Sequence, residues 1–164
     1  MVLWMLIYLT LAAVYDWRDF QIPNWLNAAG GVITITLCIW QGLDWPVMAA
    51  GILIPFLCCI GLFYLGALGG GDIKVLMVCG IPMGVSVIHL LILSFLWNGV
   101  TAVCILWKHR SFRLRFSYLC HYLSGCLREG RIASYENPDD ESKYLHFTYG
   151  IFLAYLTLIA GGFL

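Results

Sequence analysis

Residues 46–66, PVMAAGILIPFLCCIGLFYLG, form an unbroken apolar stretch without a charged side chain. A bilayer core of about 30 Å requires about 20 helical residues, so this stretch predicts a membrane-spanning helix. Further apolar stretches of the 164-residue chain cover 1–15, 24–40, 73–107 and 144–164. The chain is 62% hydrophobic and 11% charged, whereas about a quarter of the residues of ordinary soluble domains are charged. The composition therefore predicts an integral membrane protein and excludes an ordinary soluble domain.

The stretch at 73–107 is too long for one crossing, since it contains 35 residues. Pro82 lacks a backbone N–H and Gly84 is conformationally free, so together they predict a break in the helix. We therefore divide the stretch into two segments, 73–81 and 85–107. The prediction is an all-α, polytopic membrane protein with six transmembrane or membrane-embedded helices, in a single domain that covers residues 1–164.

The distribution of charge supports this division. With six segments, all nine Lys and Arg residues fall on one side of the membrane, while the other side carries only Asp44. Cytoplasmic loops collect Lys and Arg, so the basic side is predicted to be cytoplasmic and both termini to lie outside. A loop at about 108–143 then lies in the cytoplasm. The basic residues are Arg18, Lys74, Lys108, Arg110, Arg113, Arg115, Arg128, Arg131 and Lys143.

Two of the six segments are short. Residues 1–15 have no basic start and no cleavage site after them, so we expect a retained helix and no secretory signal. The segment 73–81 rises only about 14 Å. Either its helix continues through Pro82, or residues 69–72 lie below the membrane surface in a notch that water reaches. Irregular backbone at that depth is tolerated only where protein or water satisfies its polar groups.

Two acidic residues, Asp16 and Asp72, lie where an apolar stretch meets the predicted cytoplasmic face. One interpretation is structural: Asp72 interacts with a helix N-terminal dipole, and Asp16 pairs with Arg18. The other is functional, because ionisable residues within membrane spans are costly and commonly mark functional pathways, and here two of like sign share one level. Asp19 is a rival to Asp16, but we expect it to be a solvated loop charge.

The sequence around these two residues contains a pair of motifs. Residues 16–24 read DWRDFQIPN, with Asp16 seven residues before Pro23, and residues 69–74 read GGGDIK. The chain resembles the type IV prepilin peptidases, membrane aspartic proteases of the Gly-x-Gly-Asp type. The first motif fits Asp-x-x-x-x-x-Ile-Pro-Asn and the second fits Gly-x-Gly-Asp-x-Lys. The two intervening spans and the six-segment plan agree with this family.

The resemblance implies an endopeptidase that removes the basic leader of prepilins or pilin-like secretion subunits at the cytoplasmic face of the cell membrane. Asp16 and Asp72 take the catalytic positions, and Gly69, Gly71 and Lys74 match the second motif. The substrate has a basic leader followed by an apolar helix. Larger bacterial members carry an extra cytoplasmic domain with paired cysteines and also N-methylate the product. This chain resembles the minimal single-domain members of tight-adherence or archaeal flagellum type.

Peptide hydrolysis by two carboxylates requires one ionised group to activate water and one protonated group to donate a hydrogen. Two like charges held close together cannot easily both ionise, so the pair is expected to titrate with split values. The sequence leaves open which residue is the acid and which the base. The glycines leave the backbone bare beside Asp72, so we expect residues 69–71 to pair with an unwound substrate strand. Lys74 lies roughly 200° around a helix from Asp72, so we expect it to extend toward the cytoplasmic surface.

No cofactor or metal is predicted. The seven cysteines include no Cys-x-x-Cys pair, and Cys120, His121 and Cys126 are wrongly spaced for a zinc site. His89, His109 and His146 are scattered without evident partners.

In the predicted loop, Arg113, Arg115 and nearby aromatic residues are typical of an interfacial helix on anionic lipid. The acidic residues 136–141 either start a helix or attract a basic leader.

The predicted partners are thus the bilayer and prepilin-type substrates. Nine basic residues balance nine acidic ones, so the net charge gives no basis for predicting nucleic-acid binding. An alternative function is a small non-enzymatic carrier whose intramembrane aspartates bind a proton or cation. That alternative explains the aspartates but not the glycines beside them.

Overall fold

The computed structural model describes residues 1–108 and 146–163 of the chain. These residues form six α-helices and no strand, which confirms the all-α prediction. The helices are α1 (Val2–Asp19), α2 (Asn24–Trp40), α3 (Trp45–Tyr64), α4 (Gly70–Gly80), α5 (Val87–Lys108) and α6 (Phe147–Ala160). A 3₁₀ turn, Gly84–Ser86, leads into α5.

Helix α1 is longer than the apolar stretch that predicts it. It continues to Asp19, and Phe20 ends it in a left-handed conformation with φ 51°. The backbone N–H of Phe20 donates to the carbonyl of Asp16 at 3.1 Å, which closes the last turn. Asp16 therefore lies within the final turn of a regular helix, which fixes its direction.

The predicted break in the long apolar stretch is present. Helix α4 ends at Gly80, and a turn closed by the bond from the Met83 N–H to the Gly80 carbonyl precedes the 3₁₀ turn. Because Pro82 has no N–H to donate, α4 does not continue through it. The 11 residues of α4 rise about 16 Å, so α4 is short by this measure as well.

Two of the described helices are long and apolar enough to cross a membrane. These are α3 and the helix formed by the 3₁₀ turn and α5, through Ile105. Helices α2 and α6 are apolar but shorter. The six membrane segments, and the sides on which the termini lie, stay predictions.

Helix α4 is the centre of the bundle because it contacts each of the other five helices. It crosses α3 where Gly51 meets Gly80, and a Cβ on either glycine would collide with the backbone of the other helix. Most of α4 is buried, including Val75, Leu76 and Cys79. Helix α6 packs against both α1 and α5. The short helix thus packs against all five others, with Lys74 exposed and its N-terminus at one end of the bundle.

Several sequence predictions concern residues 109–145, outside the described residues. They are the cytoplasmic loop, the interfacial helix around Arg113 and Arg115, the acidic residues 136–141, and the assessment of Cys120, His121 and Cys126 as a zinc site.

Candidate active site

Asp16 and Asp72 line one cavity of about 600 Å³. The cavity lies where the C-terminal end of α1, the connection between α3 and α4, and the N-terminal ends of α4 and α6 meet. Fifty-five residues separate the two aspartates in the chain, since 72 − 16 − 1 = 55. The walls of the cavity are formed by Asp16, Phe20, Gln21, Gly66, Ala67, Leu68, Gly69, Asp72 and Phe147.

Asp16 is brought to the cavity by the buried face of α1. The buried residues of this helix, Met5, Tyr8, Leu9, Ala12 and Asp16, recur at helical spacing, so Asp16 continues an apolar stripe. It is only 8% exposed, whereas Asp19 is exposed. The aspartate of the first motif that faces the protein interior is therefore Asp16.

His146, the residue that precedes α6, faces Asp16. Its Nδ1 lies 3.5 Å from Oδ2 of Asp16, and both atoms are buried without a hydrogen bond among the described residues. The imidazole ring stacks on Phe20, with ring centroids 4.7 Å apart, and on Trp17, at 6.1 Å. These rings hold a basic group beside the carboxylate.

Asp72 lies in the first turn of α4, where unpaired backbone N–H groups favour a negative charge. The hydroxyl of Thr148, in the first turn of α6, donates to Oδ1 of Asp72 at 2.7 Å. Thr148 also lies close enough to Asp16 to lower the pKa of that carboxyl group. A fully buried residue of α6 therefore joins the two carboxylates.

Burial raises the pKa of both carboxyl groups, which lie outside the predicted spans 1–15 and 73–81. The pKa of Asp72 rises to about 6, and the nearby charge of Asp16 contributes to the rise. The hydrogen bond from Thr148 acts in the opposite direction. For Asp16, burial also raises the pKa, while His146 and the Thr148 hydrogen bonds lower it. The pair is therefore suited to holding a proton under mildly acidic conditions.

The glycines of the second motif allow close approaches at the start of α4. A Cβ on Gly71 would lie 3.3 Å from Cβ of Ile22, and one on Gly69 would lie 2.9 Å from Oδ2 of Asp72. Gly70 and Gly71 are helical, although three successive glycines favour a non-helical backbone. The chain that approaches Gly71 is the protein's own connection between α1 and α2. Of the three glycines predicted to pair with a substrate strand, only Gly69 lies outside the helix. Such pairing is therefore limited to Gly69 and the residues before it.

Lys74 points away from Asp72, as its helical spacing predicts. Its Nζ donates to Oδ1 of Asn24 at 2.6 Å. Asn24 belongs to the first motif, so this bond and the contact between Ile22 and Gly71 join the two motifs directly. Among the described residues Asp16 forms no ion pair with Arg18, because residues two apart lie on opposite faces of a helix.

Sequence reasoning missed Thr148 and misjudged His146 as a residue without partners. No local pattern marks either residue, since both follow the long polar stretch. The available signal was topological. In the six-segment plan, the C-terminal end of the first helix and the N-terminal ends of the fourth and sixth helices lie on the same side of the membrane. Among the described residues, no three His, Cys, Asp or Glu side chains are grouped so as to hold a metal ion.

The bundle and its cavity define a helical protein with a buried carboxylate pair and two helices of membrane-spanning length. A family model described as the type IV leader peptidase family matches residues 3–106. The match covers more than half of the chain and both aspartates, and the chain belongs to this family. No curated protein and no solved structure matches the chain.

Family membership makes the chain a hydrolase, a membrane-associated leader peptidase of the prepilin type whose substrates are prepilins. It favours a peptidase over the alternative of a small carrier. His146 and Thr148 lie beyond the matched residues.

Proposed function

We propose that this protein is an aspartic endopeptidase and that Asp16 and Asp72 are its catalytic residues. The observation that carries the proposal is that both carboxylates line one cavity, where Thr148 donates to Asp72 and lies close to Asp16. The charge of Asp16 acts on the partly buried Asp72, so the two carboxyl groups favour a state with one proton between them.

In this state the ionised carboxylate takes a proton from water, and the water oxygen bonds to the carbonyl carbon of the scissile peptide. The protonated carboxyl group gives its hydrogen to the carbonyl oxygen. When the tetrahedral intermediate collapses, the C–N bond breaks, the leaving nitrogen takes a proton from the carboxyl group that had accepted one from water, and a hydroxyl of the intermediate returns its proton to the other carboxylate. The products are a free carboxyl terminus and a free amine, and the pair returns to its original protonation state.

We further propose the place and substrate of the reaction. The substrates are precursors of pilins or pilin-like secretion subunits, with a basic leader before an apolar helix. The site faces the cytoplasm in a cell membrane that the chain crosses with six segments, and both termini lie outside. The one-sided distribution of all nine basic residues supports this orientation.

The test is co-expression of the full chain with a prepilin-type precursor that carries a basic leader and an apolar helix. Leader removal is followed by gel shift and by N-terminal sequencing of the product. Asp16→Asn and Asp72→Asn should each slow cleavage by about 10²–10⁴-fold, the usual contribution of a positioned acid or base. Asp19→Asn is the matched control, because Asp19 is exposed on the same helix turn. Full processing by either dyad variant would reject the proposal.

A further inference from the structure

Thr148 occupies an unusual position for a hydroxyl side chain. It is 0% exposed and lies in the first turn of α6, outside the residues that the family model matches. Its hydroxyl donates to Oδ1 of Asp72 at 2.7 Å and also interacts with Asp16. A hydroxyl has one proton to donate and two lone pairs, so it can donate to one carboxylate while accepting from a protonated partner.

The surrounding structure fixes the turn that carries Thr148. The side-chain amide of Asn98, on α5, donates to the carbonyl of Phe147 at 3.1 Å and to the carbonyl of Ser94 at 2.9 Å. Gly150 makes this approach possible, because a Cβ there would collide with the Asn98 amide. Asn98 thus holds the start of α6 against α5, and with it the direction of the Thr148 side chain.

We propose that Thr148 is a positioning residue of the dyad, which holds the Asp72 carboxyl group beside Asp16 and keeps Asp72 able to release its proton. The proposal deepens the function proposed above and rests on it. A charge-assisted hydrogen bond stabilises the ionised form of its acceptor. Without the hydroxyl, Oδ1 of Asp72 would be left in a buried site with no donor from α6.

Few other groups face the pair within the described residues. Asp16 comes from α1, Asp72 from α4 and His146 from the start of α6, while the connection between α3 and α4 contributes the uncharged residues 66–69. Lys74 is turned toward Asn24, and Arg18 lines a separate groove between α1, α5 and α6. Thr148 is therefore the neutral donor to Asp72, and it lies close to Asp16.

The experiment compares Thr148→Val, which keeps the shape of the side chain but removes the hydroxyl, with Thr148→Ser, which keeps the hydroxyl. The first readout needs no substrate. The infrared C=O band of the protonated Asp72 carboxyl group, identified by its loss in Asp72→Asn, is titrated in purified protein. In Thr148→Val this band should persist to a pH about one unit higher, and Thr148→Ser should restore the original titration.

The second readout is the pH profile of precursor cleavage. We expect kcat to fall on the order of tenfold in Thr148→Val with KM nearly unchanged, and the alkaline limb to move to higher pH. Thr157→Val is the matched control, since it also removes a hydroxyl from α6, but at a position nine residues from Thr148. It should leave both readouts unchanged.

The outcomes separate the two proposals. If Asp16→Asn or Asp72→Asn cleaves normally, the catalytic assignment fails whatever the infrared titration gives. If the dyad variants are inactive but Thr148→Val titrates and cleaves as the wild type does, the role of Thr148 is overturned. Equal loss in Thr148→Ser and Thr148→Val, with no shift of the carboxyl titration, would likewise overturn it.

Discussion

At the scale of single residues, the proposed function requires Asp16 and Asp72 to keep a negative charge available in a largely buried place. Asp72 lies in the first turn of α4, and Asp16, in the last turn of α1, faces the start of α6. Helix N-termini favour negative charge, and Thr148 adds a donor. These interactions oppose the cost of burial without removing it, so the site can retain one proton and one charge.

His146 makes the two carboxylates unequal, because its Nδ1 faces Oδ2 of Asp16 at 3.5 Å. We predict that His146→Phe, which keeps the stacking on Phe20 and Trp17, raises the pKa of Asp16. The physical reason is the loss of a cation that, when protonated, stabilises the ionised carboxylate. The acid limb of the cleavage profile should move up by about one pH unit, while the alkaline limb changes less.

The matched control for His146 is His89→Phe. His89 is exposed, lies near the carbonyl of Ser86 and stacks on Phe163, away from the cavity. It should cleave with the wild-type profile. An equal loss of activity at every pH in His146→Phe would show that His146 does not adjust the ionisation of Asp16.

At the scale of the helices, the two sequence motifs fasten the connection between α1 and α2 onto the start of α4. Ile22 packs on Gly71, and Asn24 accepts the hydrogen bond from Lys74 at 2.6 Å. Asp16 and Asp72 are the first and fourth residues of these same motifs. The other motif residues thus hold the two helix ends, and with them the two acids, against each other.

We predict that Gly71→Ala slows cleavage by about tenfold, since the new Cβ would meet Cβ of Ile22 at 3.3 Å and displace the connection from α4. Gly70→Ala is the matched control. Its Cβ would also have a neighbour at 3.3 Å, but this is the edge of the Phe63 ring, which can rotate away. Both changes raise helix propensity to the same degree, so propensity cannot explain a difference. Cleavage rates in membranes with equal protein content measure it, and equal rates would contradict the prediction.

Local signals predicted a large part of the architecture. Pro82 and Gly84 predicted the end of α4, and the spacing of Asp72 and Lys74 predicted their divergence on the helix. The extension of α1 to Asp19 was missed because hydropathy ends where the first charge appears, whereas a helix ends where its backbone turns. The helical state of Gly70 and Gly71 was also missed, since packing by Phe63 and Ile22 overrides their weak propensity.

At the scale of the whole molecule, the central place of α4 follows from no local pattern. It depends on contacts with all five other helices, and these bring α6 to the dyad. His146 and Thr148 therefore enter the site through tertiary structure alone. Asp16 and Asp72 could be predicted because each belongs to a sequence motif at the end of an apolar stretch, whereas His146 and Thr148 belong to neither motif.

The raised pKa of Asp72 has a consequence for the stability of the whole fold. The pKa is about 6 in the folded protein against an ordinary value of 3.8, so between these values the unfolded chain loses its proton first. The stability that the neutral carboxyl group of Asp72 allows is fully present below about pH 3.8. It is lost as the pH rises to about 6. We predict that Asp72→Asn is more stable than the wild type at neutral pH, by up to about 3 kcal/mol, and not at pH 3.5 or so. Thermal unfolding in detergent at both pH values measures the difference, and Asp19→Asn should show none. A gain of the same size at both pH values would mean that the ionisation of Asp72 does not destabilise the fold.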